Sequence, residues 1–386
     1  MNQLGIYIHI PFCVKKCIYC DFLSFPADDA AKSAYMAALN EEIKATAEDY
    51  AEYQVQTIFF GGGTPSCIAK ELIKDCLSTI QTHFHIADNA EISLELNPKT
   101  ASPEKLEYLR AAGINRLSIG LQSANDNELK LLGRIHTFKD FLTTYMWARN
   151  AGFSNINIDL ISALPGQSLK TWQNTLHAVC MLEPEHISAY SLIVEEGTKL
   201  FDCISQYPPL PDEETDRLMY YETKRLLSEY GYVRYEISNY AKKGFESRHN
   251  QIYWQRGCDH IRDYIGLGLG AASTVGSRRY RNTDNLSEYM EDCKTPDKLR
   301  RDQVQLSRQE LIAEFLFLGL RRMQGISMAE FERTFAVRLD SIYPKVLKKW
   351  KDAGYLDEKD GFWFLTEQGI DISNVILSDF VEIPNL

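Results

Sequence analysis

The chain of 386 residues is 45% hydrophobic and 25% charged, the balance of a folded globular protein, and its length suits two or three domains. Its net charge of −11 argues against general nucleic-acid binding, which calls for a basic excess. No apolar run of about 18 residues occurs, so no membrane span is expected, and the opening residues 1–13 lack a basic and then apolar leader pattern, so a cytoplasmic location with reduced thiols is expected.

Six short aliphatic or β-branched runs read as strands: Ile6–Ile10, Thr57–Phe60, Glu91–Asn97, Arg116–Gln122, Asn155–Ile161 and His186–Ile193. Helical segments follow the first five, over Asp29–Tyr50, Lys70–Phe84, Ser102–Ala112, Asn125–Leu132 and Leu169–Leu182. Alternating strands and helices imply a parallel sheet in an α/β fold. Six units are too few for a closed eight-unit barrel, so a partial, open (β/α)6 TIM-like barrel is expected.

The strands alternate in character. Ile92, Leu94 and Leu96 oppose Ser93, Glu95 and Asn97; Leu117, Ile119 and Leu121 oppose Ser118, Gly120 and Gln122; Ile156, Ile158 and Leu160 oppose Asn155, Asn157 and Asp159. A period of two gives each strand two faces. The apolar face suits packing on helices, which leaves a polar lumen. Closed barrels fill that space with Val, Ile and Leu, so a polar lumen suggests a cavity for a polar ligand near the C-terminal strand ends.

After residue 200 the rhythm changes. Tyr207-Pro-Pro-Leu-Pro211 marks a break. A helix over Glu213–Tyr230 leads into a segment, Tyr232–Arg281, that reads as irregular. Helices return over Ser307–Met323, Ser327–Phe335 and Leu339–Ala353, followed by a hairpin over Tyr355–Thr366. Three helices and a two-stranded wing resemble a winged-helix module. The expected domains are a barrel over residues 1–206, an intermediate segment over 207–304 packing on it, and a helical, winged-helix-like domain over 305–386. The lysines at 345, 348, 349 and 351 read as a solvated helix face in an acidic chain.

Cys13-Val-Lys-Lys-Cys17-Ile-Tyr-Cys20 directly follows the first strand. Three of nine cysteines within eight residues read as a metal site, because a disulfide framework would spread its pairs. Iron–sulfur clusters normally take four thiolates. A C-x3-C-x2-C loop supplies three, which leaves one iron open to a small chelating molecule. A structural zinc site would need a fourth ligand, and no Cys or His follows closely. The scattered cysteines at 67, 76, 180, 203, 258 and 293 read as small buried hydrophobes.

C-x3-C-x2-C after a first barrel strand resembles the radical S-adenosylmethionine superfamily. Tyr7-Ile-His-Ile-Pro-Phe-Cys13, Gly61-Gly-Gly-Thr-Pro65, Glu95-Leu-Asn-Pro98 and Ser118-Ile-Gly-Leu-Gln122 are similar to its oxygen-independent coproporphyrinogen III oxidase-like subgroup, over roughly residues 5 to 370. The resemblance implies a [4Fe–4S] cluster on Cys13, Cys17 and Cys20. Its open iron would be chelated by the amino and carboxylate groups of S-adenosylmethionine, which an electron from the cluster cleaves to methionine and a 5′-deoxyadenosyl radical. It also implies a reductant such as flavodoxin or ferredoxin.

The same resemblance assigns the cofactor contacts. Gly62, Gly63 and Thr64 match the segment that binds the methionyl amino group, although such glycines also make tight turns. Glu95 suits a sugar hydroxyl or an ammonium partner, or else a structural ion pair. Gln122, Arg134 and Asp159 fall at positions that contact one or two S-adenosylmethionine molecules. Tyr7 matches a cofactor-contacting tyrosine, and Tyr19 an aromatic packed near the adenine. No catalytic residue is assigned.

Within the subgroup the chain is most similar to the heme-chaperone branch, for which heme is cargo and an apo-hemoprotein the recipient. His249, in the H-N-x-x-Y-W run Arg248–Trp254, is the candidate heme ligand, since an imidazole can bind heme iron; a capping or packing role is the alternative. Ala272 stands where many relatives have histidine in a G-A-H-S pattern, so no heme ligand lies there. Two departures disfavour the oxidase. Phe22 replaces its fourth cysteine, and the cluster motif begins at residue 13, without the oxidase's longer preceding arm. The oxidase, converting two propionates to vinyls, is the second expectation. A radical S-adenosylmethionine methyltransferase on the same barrel is the third.

Overall fold

The computed structural model describes residues 1–255 and 262–381. Six strands lie side by side in parallel: β1 (Asn2–Ile10), β2 (Tyr53–Gly62), β3 (His85–Leu96), β4 (Arg116–Gln122), β5 (Ile156–Ser162) and β6 (His186–Ser191). Their alternation explains the layering. Leu4, Ile6, Ile8 and Ile10 of β1 are fully buried against the helices, whereas Tyr7 and His9 turn to the other face. Each such aliphatic side chain removed from water contributes about 1.5–3 kcal/mol.

Local signals set the helix ends. Ser102 caps the helix Pro103–Ala112, and Gly113 ends it with a φ of 114°, a left-handed conformation that glycine adopts without strain. A helix absent from the sequence reading, Phe138–Asn150, intervenes between β4 and β5. A capping box of Thr137 and Asp140 starts it, and Phe141, Tyr145 and Ala148 form its buried stripe.

The segment expected to be irregular, Tyr232–Arg281, is corrected by the structure. It holds β7 (Val233–Arg234), β8 (Asn239–Ala241), a helix over Arg248–Trp254, β9 (Arg262–Leu267), β10 (Ala272–Val275) and β11 (Arg278–Asn282). With β12 (Arg300–Gln305), these strands extend both edges of the barrel into a 12-stranded sheet, ordered β12-β11-β10-β9-β1-β2-β3-β4-β5-β6-β8-β7. β9 runs parallel to β1, and β8 runs antiparallel to β6. The sheet is open, as the six-unit count implies.

The C-terminal region has its own core, including Phe315, Phe331, Trp350 and Trp363. Its sheet has three strands: β13 (Ile326–Ser327), β14 (Leu356–Lys359) and β15 (Phe362–Leu365), ordered β13-β15-β14. The helix expected over Leu339–Ala353 is broken before Pro344 into Leu339–Ile342 and Pro344–Asp352, because proline has no N–H to continue the ladder. Lys348, Lys349 and Lys351 pair with Asp352, Asp379 and Glu358.

Candidate cluster and cofactor site

The cysteine loop is tied to strand ends by backbone bonds. Gly63 N–H donates to Ile10 O at 2.9 Å, Thr64 N–H to Phe12 O at 2.7 Å, and Cys13 N–H to Phe25 O at 3.1 Å. These bonds fold the loop over the C-terminal end of β2. Cys13 is buried, Cys17 and Cys20 are half-buried, and all three are free thiols. They line one cavity of about 480 Å³.

Three free thiols on the wall of one cavity are a donor set that fits an iron–sulfur cluster, which takes thiolate ligands. Thr64 Oγ1 lies 3.5 Å from Cys13 Sγ, and Arg134 Nη1 points to Cys17 Sγ at 3.6 Å. Both would favour sulfur carrying negative charge. Gly63 keeps the cradle open: a Cβ there would stand 2.7 Å from Phe12 O and 3.0 Å from Cys13 Sγ. Burial pushes the Cys20 thiol up, a cost that a bound metal cluster would relieve by taking the proton's place.

Tyr19, Gly62, Gly63, Thr64, Glu95, Gln122, Arg134 and Asp159 line the same cavity. A chain of bonds joins their strand ends. Arg134 Nη2 donates to Asn97 Oδ1 and to Gly120 O at 2.5 and 2.6 Å, and Asn97 Nδ2 donates to Thr64 Oγ1 at 2.7 Å. Gly62 N–H donates to Glu95 Oε2 at 3.1 Å. Gln122 reaches the lumen at a register shift in β4, with a φ of 74°, and such irregularities re-aim side chains beside functional sites. The Glu95 carboxyl is raised to about 8 by burial first and by the Asp159 charge second. Asp159 is raised by burial while accepting bonds from Ser118 and Asn157 at 2.8 Å. Two buried carboxyls without an ion-pair partner favour a cationic or hydroxyl-bearing ligand beside them.

Tyr7 lies apart from that group. It lines an adjoining chamber of about 240 Å³ deeper in the lumen, where its hydroxyl donates to His9 Nδ1 at 3.0 Å while His9 Nε2–H meets Leu23 O at 2.9 Å. His249 lines the same chamber but is committed. It is 1% exposed, stacked on Phe59, and its Nδ1 and Nε2 sit 2.7 and 2.9 Å from the hydroxyls of Thr57 and Tyr253. Burial lowers its imidazole to about 3. Iron ligation there requires one of those bonds to be given up.

Sequence reasoning left out several lining residues. Asn97 and Ser118 were legible, because strand parity had already turned them to the lumen. Tyr190, Leu192 and Ile193, at and beyond the end of β6, also line the cavity, and no motif marks them. Phe22, 68% exposed, stands on the rim of both spaces. Cys76, Cys180 and Cys293 are buried, Cys67 and Cys203 half-buried; Cys258 lies outside the described residues.

Comparison with known proteins bears on this geometry. Residues 7–179 match the model of the radical SAM superfamily, and residues 306–372 match the HemN C-terminal domain. The chain is 36% identical to the heme chaperone HemW of Bacillus subtilis, over 97% of this chain and 98% of that one. It is 33% identical to the Escherichia coli heme chaperone HemW, over 99% of both. Among solved structures, the coproporphyrinogen III oxidase HemN of Escherichia coli, described as a radical SAM enzyme, superposes with a TM-score of 0.85 at 25% identity, over 98% of this chain and 90% of that one.

Proposed function

Because the chain belongs to the HemW family of the radical S-adenosylmethionine superfamily, we propose that it is a heme chaperone that binds heme and hands it to an apo-hemoprotein. The family implies a [4Fe–4S] cluster and S-adenosylmethionine. In this reading Cys13, Cys17 and Cys20 hold the cluster, and Gly62, Gly63, Thr64, Glu95, Gln122, Arg134 and Asp159 hold the nucleoside cofactor. When bound, that pair supplies one-electron chemistry at the cavity. The chain's own residues orient it: Arg134 ties Cys17 to Asn97 and Gly120, and Glu95 offers a carboxyl to a hydroxyl or ammonium group.

The observation that carries the reading is the full-length match to heme chaperones, joined to a cavity whose exposed apolar rim includes Phe22 and Ile193, each 68% exposed. Such a rim suits an apolar macrocycle. A second reading, coproporphyrinogen III oxidase, is favoured by the superposition on HemN. Phe22, in place of a fourth cysteine, argues against it.

One paired experiment separates them. Anaerobically reconstituted protein is titrated with hemin, and a parallel sample receives coproporphyrinogen III, S-adenosylmethionine and a reductant. Saturable hemin binding without decarboxylation supports the chaperone. Turnover to protoporphyrinogen IX supports the oxidase.

A further inference from the structure

The chamber below the thiol-lined cavity contains a buried cation whose Nε has no hydrogen-bond partner among the described residues. Arg116, the first residue of β4, is 2% exposed and lines this space of about 240 Å³. No hydrogen bond or ion pair of its side chain occurs among the described residues, and its Nε is a buried donor without a partner. Ser93, its register partner on β3, has an Oγ that is likewise buried and unpaired. Buried polar groups are nearly always satisfied, and a buried charge without a partner is costly.

The surroundings offset the charge only through space: Asp159 feels its attraction but gives its oxygens to other donors. His249 and His186 are held neutral, by burial first and by the Arg116 charge second. The carboxylates on the lumen face have donors of their own. Asp159 accepts from Ser118 and Asn157. Glu95 accepts from Gly62. Glu91 accepts the backbone N–H groups of Arg248 and His249 at 3.1 and 3.0 Å. The chamber adjoins the cavity above: Gly62, Ser118 and Tyr190 line both. Its volume suits a short side arm, and the wider cavity suits the body of a ligand.

We propose that this chamber is a carboxylate-binding floor, in which the Arg116 guanidinium receives the carboxylate arm of a ligand seated in the cavity above. A guanidinium presents paired donors that match the two carboxylate oxygens. Two ligands of the proposed function carry such an arm: a porphyrin propionate and the amino-acid end of a second S-adenosylmethionine, since that of the first would be held at the open iron. The inference therefore rests on that reading for its ligands, though the orphaned cation does not.

The test compares wild type, Arg116→Lys and Arg116→Gln as full-length reconstituted proteins. Each is titrated with hemin, hemin dimethyl ester and S-adenosylmethionine, and each is melted without ligand. A loss of about tenfold or more in hemin affinity for Arg116→Gln, smaller for Arg116→Lys and absent for the ester, assigns the floor to a propionate. The same loss for S-adenosylmethionine alone assigns it to the amino-acid carboxylate. Unchanged affinities for both overturn the proposal. The ligand-free arm stands by itself: removing an unpartnered buried cation should leave Tm equal or higher, and a fall of more than about 5 °C, or failure to fold, makes Arg116 structural and overturns the floor. If wild type binds no hemin, the chaperone reading fails separately, and the melting and S-adenosylmethionine arms still decide the floor.

Discussion

Cys17 is the thiol with a charged donor aimed at it, since Arg134 Nη1 lies 3.6 Å from its sulfur. Replacing Cys17 with Ala should reduce bound iron and the visible absorption of the reconstituted protein severalfold or more; unchanged iron would remove the cluster from this loop. Glu95 gives a second test at this scale. Its carboxyl rises from 4.5 to about 8 in the folded chain, through burial first and Asp159 second. The folded chain thus keeps a proton that the unfolded chain releases. Its contribution to stability is complete below the unfolded value of 4.5 and is lost as pH rises through about 8. Glu95→Gln keeps the shape and removes the titration. Its Tm relative to wild type, both free of ligand, should therefore climb from about pH 5 to about pH 9; a flat difference would contradict the assignment. Neither property was visible in sequence. Spacing indicated which thiols and carboxyls belong to the lumen, but burial and neighbouring charge exist only once the strands are assembled.

At the scale of elements, β1 to β6 were legible because their side chains alternate and their ends carry glycine or polar breaks. The extension strands were not. β7 spans Val233–Arg234 alone, and β12 reads Arg-Arg-Asp-Gln-Val-Gln, too short or too polar to stand out before pairing supplies the context. The helix Phe138–Asn150 carried a readable signal in its capping box and i, i+4, i+7 stripe. The junction nearest the site is the end of β2 against the cysteine loop, where Gly63 allows Thr64 to donate to Phe12 O at 2.7 Å. Gly63→Ala would drive a Cβ to 2.7 Å from that same oxygen. The expected cost is about 1–3 kcal/mol of stability, with reduced iron per chain; a variant that melts and loads iron like wild type would show that the loop yields without consequence.

For the molecule as a whole, the open barrel and the C-terminal helical region are joined by specific polar contacts. Arg234 of β7, with a side chain only 3% exposed, forks onto Glu367 at 2.8 and 2.9 Å, and Lys224 reaches the same carboxylate. Glu367→Gln leaves the Arg234 charge largely buried and poorly paired, which should cost about 1–3 kcal/mol in thermal or denaturant unfolding; a cost under about 0.5 kcal/mol would mean that this ion pair does not hold the two regions together. Sequence alone suggested a helical C-terminal module but not this joint, because Arg234 and Glu367 lie far apart in the chain and meet only through the fold.

The central claim, that heme is carried and delivered, is tested most directly by transfer. Protein loaded with one equivalent of hemin is mixed with an apo-hemoprotein acceptor and, separately, with a high-affinity heme scavenger. Appearance of the acceptor's Soret band faster than the scavenger strips heme, and rising with acceptor concentration, is the expected result. Transfer to both at one common rate, independent of acceptor concentration, would mean that heme merely dissociates and that the chain does not deliver it.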